Sequence, residues 1–282
     1  MDKLRFGTSG IPLSTQNKKD GTAAGIKKVR ELKLDAMEME FVRAVYLKKD
    51  KTPEIKEQAE KEDVVLTCHA PYFINLNSDD KKKFYASIGY IKNSAMITSM
   101  CGGYSVCFHA GYYQKQDPKR VYDKIKEALK IITKDVKEFD KKIWIRPETT
   151  GKISQFGTIH EILDLSLEFD NVLPCIDWSH LHAWSNGKYN TKEEFVDVLT
   201  LMESKLGRKA LDNVHFHCQG VEYTEKGERW HLNLKESDLN YQELLNTWKE
   251  FKLKGVVIAE SPNVEEDAML MQKLYDKALH NK

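Results

Sequence analysis

The sequence has 282 residues, of which 41% are hydrophobic and 31% are charged, as in a folded globular protein and unlike a disordered or fibrous one. Lys plus Arg (44) balance Asp plus Glu (43) to a formal net charge of +1, which argues against a protein that coats nucleic acid over its whole surface. Five cysteines with no Cys-x-x-Cys pair indicate free thiols in a reducing compartment. No apolar run reaches the length of about 18 residues that a membrane span needs. We therefore expect a cytoplasmic protein that is monomeric and has no membrane partner.

Short apolar or β-branched runs alternate with longer stretches of helical periodicity, and this pair recurs eight times along the chain. The predicted strands cover 4–8, 34–41, 64–69, 104–109, 142–148, 172–177, 213–218 and 255–260. The predicted helices cover about 22–32, 52–62, 81–101, 120–139, 160–169, 191–206, 238–251 and 265–279.

Eight successive strand–helix units without a long linker predict an α/β fold in which a parallel sheet closes into a (β/α)8 barrel. An open doubly wound sheet is the alternative, and it usually carries a glycine-rich phosphate loop after its first strand. Here Gly7-Thr8-Ser9-Gly10 fits neither G-x-G-x-x-G nor the P-loop pattern. The sequence thus predicts one (β/α)8 TIM barrel that spans residues 1–282 as a single domain.

Polar residues end six successive predicted strands, from the third to the eighth. In chain order these residues are His69, His109, Glu148, Asp177, His215 or His217, and Glu260. The loops that follow the sixth and seventh strands add His180, His182, Glu228 and His231. The carboxyl ends of barrel strands converge on one mouth, and carboxylates crowded there would repel each other unless cations lay between them. Imidazole and carboxylate are ligands of zinc-like ions, so the pattern predicts a cluster of two or three metal ions.

At these positions the sequence resembles the endonuclease IV family of abasic-site endonucleases, within the xylose-isomerase-like barrels. The motifs that carry the resemblance are His69-Ala-Pro-Tyr72, Phe108-His109-Ala110-Gly111, Glu148-Thr149-Thr150-Gly151, Cys175-Ile176-Asp177 with His180, and Ile258-Ala259-Glu260-Ser261-Pro262. Family members usually carry Asp-Arg-His after the seventh strand. This chain has Glu228-Arg229-Trp230-His231, in which the acid lies three residues before the histidine.

The resemblance implies up to three Zn²⁺ ions, and one of the sites could take Mn²⁺. The implied ligands are His69, His109 and Glu148 for the first ion; Glu148, Asp177, His215 and Glu260 for the second; and His180, Glu228 and His231 for the third. We expect His217 to face away from His215 and to pack or to support the site.

The resemblance further implies hydrolysis of the phosphodiester 5′ to abasic sites in duplex DNA by a metal-bridging hydroxide. Glu260 and Glu148 would be the catalytic residues, and Tyr72 and Arg43 would contact the DNA. Two other functions remain open. One is a metal-dependent sugar isomerase or epimerase on the same barrel, and the other is a metal-binding homologue that has lost catalysis and serves as an adaptor.

Overall fold

The computed structural model describes residues 1–15 and 21–277. Its strands are β1 (Leu4–Ser9), β2 (Ala36–Glu40), β3 (Val65–His69), β4 (Ser105–Phe108), β5 (Gly111–Tyr112), β6 (Trp144–Pro147), β7 (Gln155–Phe156), β8 (Ile176–Asp177), β9 (Val214–Cys218), β10 (Gly220–Thr224), β11 (Gly227–Leu232) and β12 (Gly255–Ala259). Its α-helices are α1 (Gly21–Glu31), α2 (Thr52–Glu62), α3 (Lys81–Met100), α4 (Pro118–Phe139), α5 (Ile159–Leu167), α6 (Trp178–Trp184), α7 (Lys192–Leu206), α8 (Arg208–Leu211), α9 (Tyr241–Glu250) and α10 (Glu265–Lys277).

Eight of the strands form one parallel sheet, in the spatial order β6, β4, β3, β2, β1, β12, β9 and β8. The first strand pairs with the last, since Leu4 lies opposite Gly255. The two ends of the sheet meet through parallel bridges between Ile145 and Val172 and between Glu148 and Cys175. The predicted (β/α)8 TIM barrel is therefore confirmed, with its strands in chain order around the barrel.

Side chains alternate between the barrel interior and the helical layer, as the two-residue period of a strand requires. In β12, Val257 and Ala259 belong to the main apolar core. Val256 and Ile258 belong to a separate small cluster on the opposite face. The main core thus lies between the strands and the helices, and the other face of each strand lines the barrel interior.

Local sequence signals explain where several helices begin. Asp117 accepts a hydrogen bond from Arg120 N, and Pro118 occupies the first turn of α4. Thr158 and Glu161 form a capping box at the start of α5. Within the part of the chain that the structure describes, no helix has both the length and the apolarity to cross a membrane.

The structure also contains elements that the sequence did not predict. The short helices α6 and α8 lie where loops were expected. The loops that follow barrel strands add an antiparallel hairpin, β10 with β11, and a short antiparallel pair, β5 with β7, whose strands come from two different loops. The predicted sixth strand, 172–177, is regular only at Ile176–Asp177. The predicted end of the last helix, at Leu279, lies outside the described residues.

Candidate metal centre

Glu148 follows directly after β6 and lies at the centre of the barrel mouth, fully buried. Its Oε2 atom is 3.1 Å from His69 Nε2 and 3.7 Å from His109 Nε2. Its Oε1 atom is 3.2 Å from His217 Nδ1 and 3.3 Å from His180 Nδ1. Burial would raise the pKa of Glu148, but the surrounding imidazoles, His109 and His217 foremost, hold this pKa well below its ordinary value.

Four residues from four neighbouring barrel strands form what we call the inner group: Glu148, Asp177, His217 and Glu260. One ligand atom from each of them lies within 4.8 Å of the others. His217 Nδ1 is 3.5 Å from Glu260 Oε1. Burial raises the pKa of Glu260, although His217 and His231 counteract this effect. Three carboxylates at this separation form an oxygen-rich pocket that suits a divalent cation.

His69 and His109 lie on the other side of Glu148, with their ring centroids 5.4 Å apart. Burial would lower the pKa of His69, but the hydrogen bond to Glu148 raises it to about 10. Burial lowers the pKa of His109 to about 4, and its Nδ1 atom is buried without a hydrogen-bond partner. With Glu148, these two side chains make a second set of donors beside the inner group.

The outer group consists of His180, Glu228 and His231, whose ligand atoms also lie within 4.8 Å of one another. Glu228 lies between the two rings, with Oε2 3.5 Å from His180 Nε2 and Oε1 3.4 Å from His231 Nε2. Burial would raise the pKa of Glu228, yet its hydrogen bond with His231 lowers it to about 2. That hydrogen bond likewise outweighs burial at His231 and raises the pKa of this residue to about 9.

A β-bulge in β11 explains how two residues three apart reach the same site. In a regular strand, Glu228 and His231 would point to opposite faces. In the ladder between β10 and β11, Glu222 pairs with Trp230 and the next residue, Tyr223, pairs with Glu228. Arg229 therefore has no partner on β10. The extra residue restores a common face for Glu228 and His231.

Gly151 lets this hairpin approach the loop that follows β6. Glu228 N donates to Gly151 O over 2.8 Å. A Cβ atom at Gly151 would lie 2.7 Å from Glu228 Cβ and 3.0 Å from His180 Cδ2, closer than packed carbon atoms allow. Only glycine therefore fits between Glu228 and His180 without displacing one of them.

The expectation that His217 faces away from His215 is wrong, and the structure places His217 instead of His215 beside Glu148 and Glu260. Residues two apart on a strand share a face, and in the parallel ladder His215 and His217 lie opposite Val256 and Ile258, which also line the barrel interior. His217 lies one layer nearer the mouth and contacts Glu148 and Glu260. His215 instead lies deeper, where Nε2 is 3.0 Å from Glu38 Oε2.

His180 and His182 lie in α6 and not in a loop. Asp177 caps this helix, since its Oδ1 accepts a hydrogen bond from His180 N over 2.7 Å. His180 faces the mouth. The two ring nitrogens of His182 contact Lys188 O at 2.8 Å and Asp238 Oδ1 at 3.0 Å, which gives that histidine a structural role.

Two carboxylates on β2 were missed by the sequence analysis. Glu38 is fully buried in the barrel interior, and Glu40, which contacts Ser9 Oγ at 2.8 Å, lies above it. Burial and the neighbouring Glu38 raise the pKa of Glu40 to about 8. The signal was present in the strand Ala36–Glu40, because glutamates two residues apart must share one face, and the intervening Met37 and Met39 belong to the main core.

Tyr72 and Arg43 both lie at the rim of the mouth. Tyr72 is 47% exposed, and its ring meets that of His69 edge-on with centroids 4.9 Å apart. The loop that carries the exposed Arg43 packs beside it, since Tyr72 N donates to Val42 O over 3.2 Å. The structure therefore places both residues on adjacent loops beside the candidate metal centre.

Comparison with known proteins is consistent with this architecture. An uncharacterized protein of Methanocaldococcus jannaschii, MJ0133, is 40% identical over 274 residues, which cover 97% of each chain. A probable endonuclease 4 of Staphylococcus epidermidis is 26% identical over 237 residues, 77% of each chain.

Two solved structures share the fold equally well. Endonuclease IV from Thermus thermophilus has a TM-score of 0.73 at 19% identity and covers 98% of this chain and 100% of its own. A D-tagatose 3-epimerase-like protein has a TM-score of 0.73 at 20% identity, covering 96% and 97%. The family model described as a xylose isomerase-like TIM barrel matches residues 26–277. The chain therefore belongs to the xylose isomerase-like TIM barrel family.

Proposed function

We propose that the protein is a metal-dependent endonuclease that hydrolyses the phosphodiester 5′ to abasic sites in duplex DNA. The observation that carries this proposal is that three sets of possible metal-binding side chains lie next to one another in the barrel mouth. Glu148 belongs both to the inner group and to the set with His69 and His109, and its Oε1 also lies 3.3 Å from His180 of the outer group. A cluster of two or three ions that clamps a phosphate needs such an arrangement.

The side chains fit the proposed ions in chemistry and in orientation. His69 Nδ1 faces Ala70 O at 2.7 Å, His180 Nδ1 faces Thr149 O at 3.0 Å, and His231 Nδ1 faces Glu260 O at 3.1 Å. Because a carbonyl can only accept, each Nδ1 carries a hydrogen, and Nε2 is the nitrogen that each ring would offer to an ion once it has given up its own proton. Up to three Zn²⁺ ions are proposed, and one of the sites could take Mn²⁺.

The proposed ligands are assigned set by set. They are His69, His109 and Glu148 for the first ion; Glu148, Asp177, His217 and Glu260 for the second; and His180, Glu228 and His231 for the third. Bound Zn²⁺ would supply positive charge and Lewis acidity at the scissile phosphate.

The chain's own residues would orient the reactants and move the proton. Glu260 is proposed to align the attacking water and to accept its proton, a role that suits a carboxyl whose pKa is raised by burial. Glu148 is proposed to hold the donor sets together. At the rim, Tyr72 would stack on a base, and Arg43 would approach the gap left by the abasic nucleotide.

A second candidate function is the isomerisation or epimerisation of a small sugar. The inner group favours it, because Glu148 and Glu260 converge from different strands on one pocket and could exchange protons with a substrate held by a single ion. This reaction would not need the outer group, so the two candidates differ in the number of ions that they require.

The test combines metal counting with cleavage of a duplex that contains a tetrahydrofuran abasic analogue. The proposal expects about three zinc ions per chain and a nick that a chelator abolishes. Glu260→Gln should lose the nick while it still binds the duplex. Glu266→Gln, which changes an exposed carboxylate six residues after Glu260 in the sequence, is the matched control and should cleave normally. A fully metallated protein that leaves the analogue intact would refute the proposal, and a single bound ion with activity on a ketose would support the second candidate.

A further inference from the structure

The barrel interior, just below the mouth, contains a further set of side chains that could hold a metal ion. Each member offers one ligand atom, and these atoms all lie within 4.8 Å of one another. We call this set the interior group, and its members are Cys107, Cys175, His215 and His217. All four residues are fully buried. Three of them take no part in the ion sites proposed at the mouth.

The strands bring these side chains together because each of them faces the barrel interior. The residues on either side of Cys107 in β4 and of His215 in β9 belong to the main apolar core behind the strands; they are Val106, Phe108, Val214 and Phe216. Side chains alternate along a strand, so Cys107 and His215 point the other way, into the barrel. Cys175 precedes the core residue Ile176 and reaches the interior in the same manner.

The composition and spacing of the interior group suit zinc. Cysteine and histidine are the preferred ligands of structural zinc, which binds four of them in a tetrahedron. With bonds of about 2.3 Å to sulfur and about 2.0 Å to nitrogen, neighbouring ligand atoms of such a site lie about 3.3 to 3.8 Å apart. Cys107 Sγ lies 3.7 Å from His217 Nε2, which falls within this range.

Two buried polar atoms beside these thiols lack a partner. His215 Nδ1 is 2.8 Å from Ser105 Oγ, but His215 Nε2 is buried without a hydrogen-bond partner. Glu38 Oε1 is also buried without one, and Glu38 Oε2 lies 3.5 Å from Cys107 Sγ. Buried polar groups are rarely left unsatisfied, and a carboxylate removed from water needs positive charge nearby. A cation among these side chains would supply both.

We propose that the interior group is a structural zinc site, whose ligands are Cys107, Cys175, His215 and His217 Nε2. Four protein ligands leave no position for water or substrate, which is the pattern of structural and not of catalytic zinc. His217 Nδ1 lies 3.2 Å from Glu148 Oε1 at the mouth. With ions on both sides, this ring would bridge them after it has released its protons to the solvent. The interior ion adds one to the number expected at the mouth, and it does not depend on the function proposed there.

The position of the interior group gives such an ion a task. The two ends of the barrel sheet meet between β6 and β8, and β8 is regular only over Ile176–Asp177. Cys175 lies at this seam, in a parallel bridge with Glu148. Cys107 and His215 come from β4 and β9, the strands on either side of β6 and β8. An ion that binds all three side chains would fasten the seam of the barrel.

The first test uses the unaltered, full-length protein, produced in medium that supplies cobalt in place of zinc so that the ion is present while the barrel folds. Cobalt bound by cysteine sulfur gives a thiolate-to-metal charge-transfer band in the near ultraviolet, which oxygen and nitrogen ligands do not give. The ligands proposed at the mouth include no sulfur, so the band would report the interior group. We expect the band with the intensity of two sulfur ligands per ion. Folded protein without it overturns the inference, whether cobalt is bound elsewhere or not at all.

The second test compares alanine substitutions of two fully buried cysteines. Cys175→Ala removes one sulfur ligand, so we expect the charge-transfer band to fall by half or more. Cys101→Ala is the matched control, because Cys101 lies in the main apolar core, and its band should be unchanged. An unchanged band in folded Cys175→Ala, or an equal loss in Cys101→Ala, overturns the inference. If Cys175→Ala does not fold, the band intensity of the unaltered protein decides.

The two proposals can fail separately. Glu148→Gln alters the donor sets at the mouth and should keep the charge-transfer band, and loss of the band in this variant would contradict a separate interior site. A protein that shows the band but leaves the abasic duplex intact supports the interior zinc site and refutes the proposed function. A protein that nicks the duplex without showing the band does the reverse.

Discussion

The inner and outer groups contain similar side chains but are built in different ways. The four members of the inner group lie at the ends of barrel strands, and the side chain of Glu260, the most exposed of them, is 8% exposed. The outer group lies on the short helix α6 and on a bulged hairpin, and the His231 side chain is 29% exposed. The barrel itself fixes the inner group, whereas the position of the outer group depends on added elements. Changes to the two groups should therefore have effects of different size.

The largest effect is expected from Glu148→Gln, because Glu148 serves two donor sets. This variant should lose two ions and nick the abasic duplex roughly 10³-fold more slowly or worse, since several kcal/mol of stabilisation are removed and each 1.4 kcal/mol is a factor of ten. Glu228→Gln is the matched change in the outer group, and it should lose one ion and about 10²-fold in rate. Equal losses in the two variants would show that the groups act as one unit.

The next effect concerns pH. In the metal-free protein, the pKa of His231 is raised to about 9, so at pH 7 the ring carries a proton that an incoming ion must displace. The affinity of the outer group for zinc should therefore rise between pH 7 and 9, by about tenfold per unit for each proton released. Calorimetry in buffers of different ionisation enthalpy would measure the released protons, and an affinity that does not change with pH would contradict the pairing of Glu228 with His231.

The smallest effect is expected from deleting Arg229. The deletion removes the bulge and leaves Glu228 two residues before the histidine, so the two side chains share a face in a regular strand. We expect the outer ion to be retained and the melting temperature to change by no more than about 2 °C, as for a loss of less than about 1 kcal/mol. Insertion of one alanine after Arg229 is the opposite control. It should expel the ion, and loss of the ion in the deletion variant would disprove this account of the bulge.

The barrel and most of the strand-end residues could be predicted from the sequence, because hydrophobic periodicity marks the strands and parallel strands bring their carboxyl ends together. The direction of the side chains could not distinguish His215 from His217 as the residue in the inner group, since both side chains point to the same face of the sheet. That distinction depends on depth along β9, which is set by pairing with β12. The alternation of side chains along β2 did contain one further signal. Glu38 and Glu40 alternate with the core residues Met37 and Met39, and this pattern identifies two carboxylates that point into the barrel.

The outer group was less predictable for a different reason. The spacing of Glu228 and His231 is compatible with a common face only because β10 and β11 pair with a bulge, and pairing is a property of two segments together. Helix α6 was hidden in a similar way. A helix of seven residues leaves little periodicity to detect, so its cap, Asp177, stands out in the sequence chiefly as a predicted ligand.

Both oxygens of Asp177 are already engaged before any ion arrives. Oδ1 holds the first turn of α6 through His180 N, and Oδ2 accepts from Gln219 Nε2 over 2.8 Å. The carboxylate cannot rotate to follow an ion without releasing the helix that carries His180. It would therefore be a rigid ligand, and such a ligand should make the pocket discriminate between cations by their radius and their preferred coordination geometry.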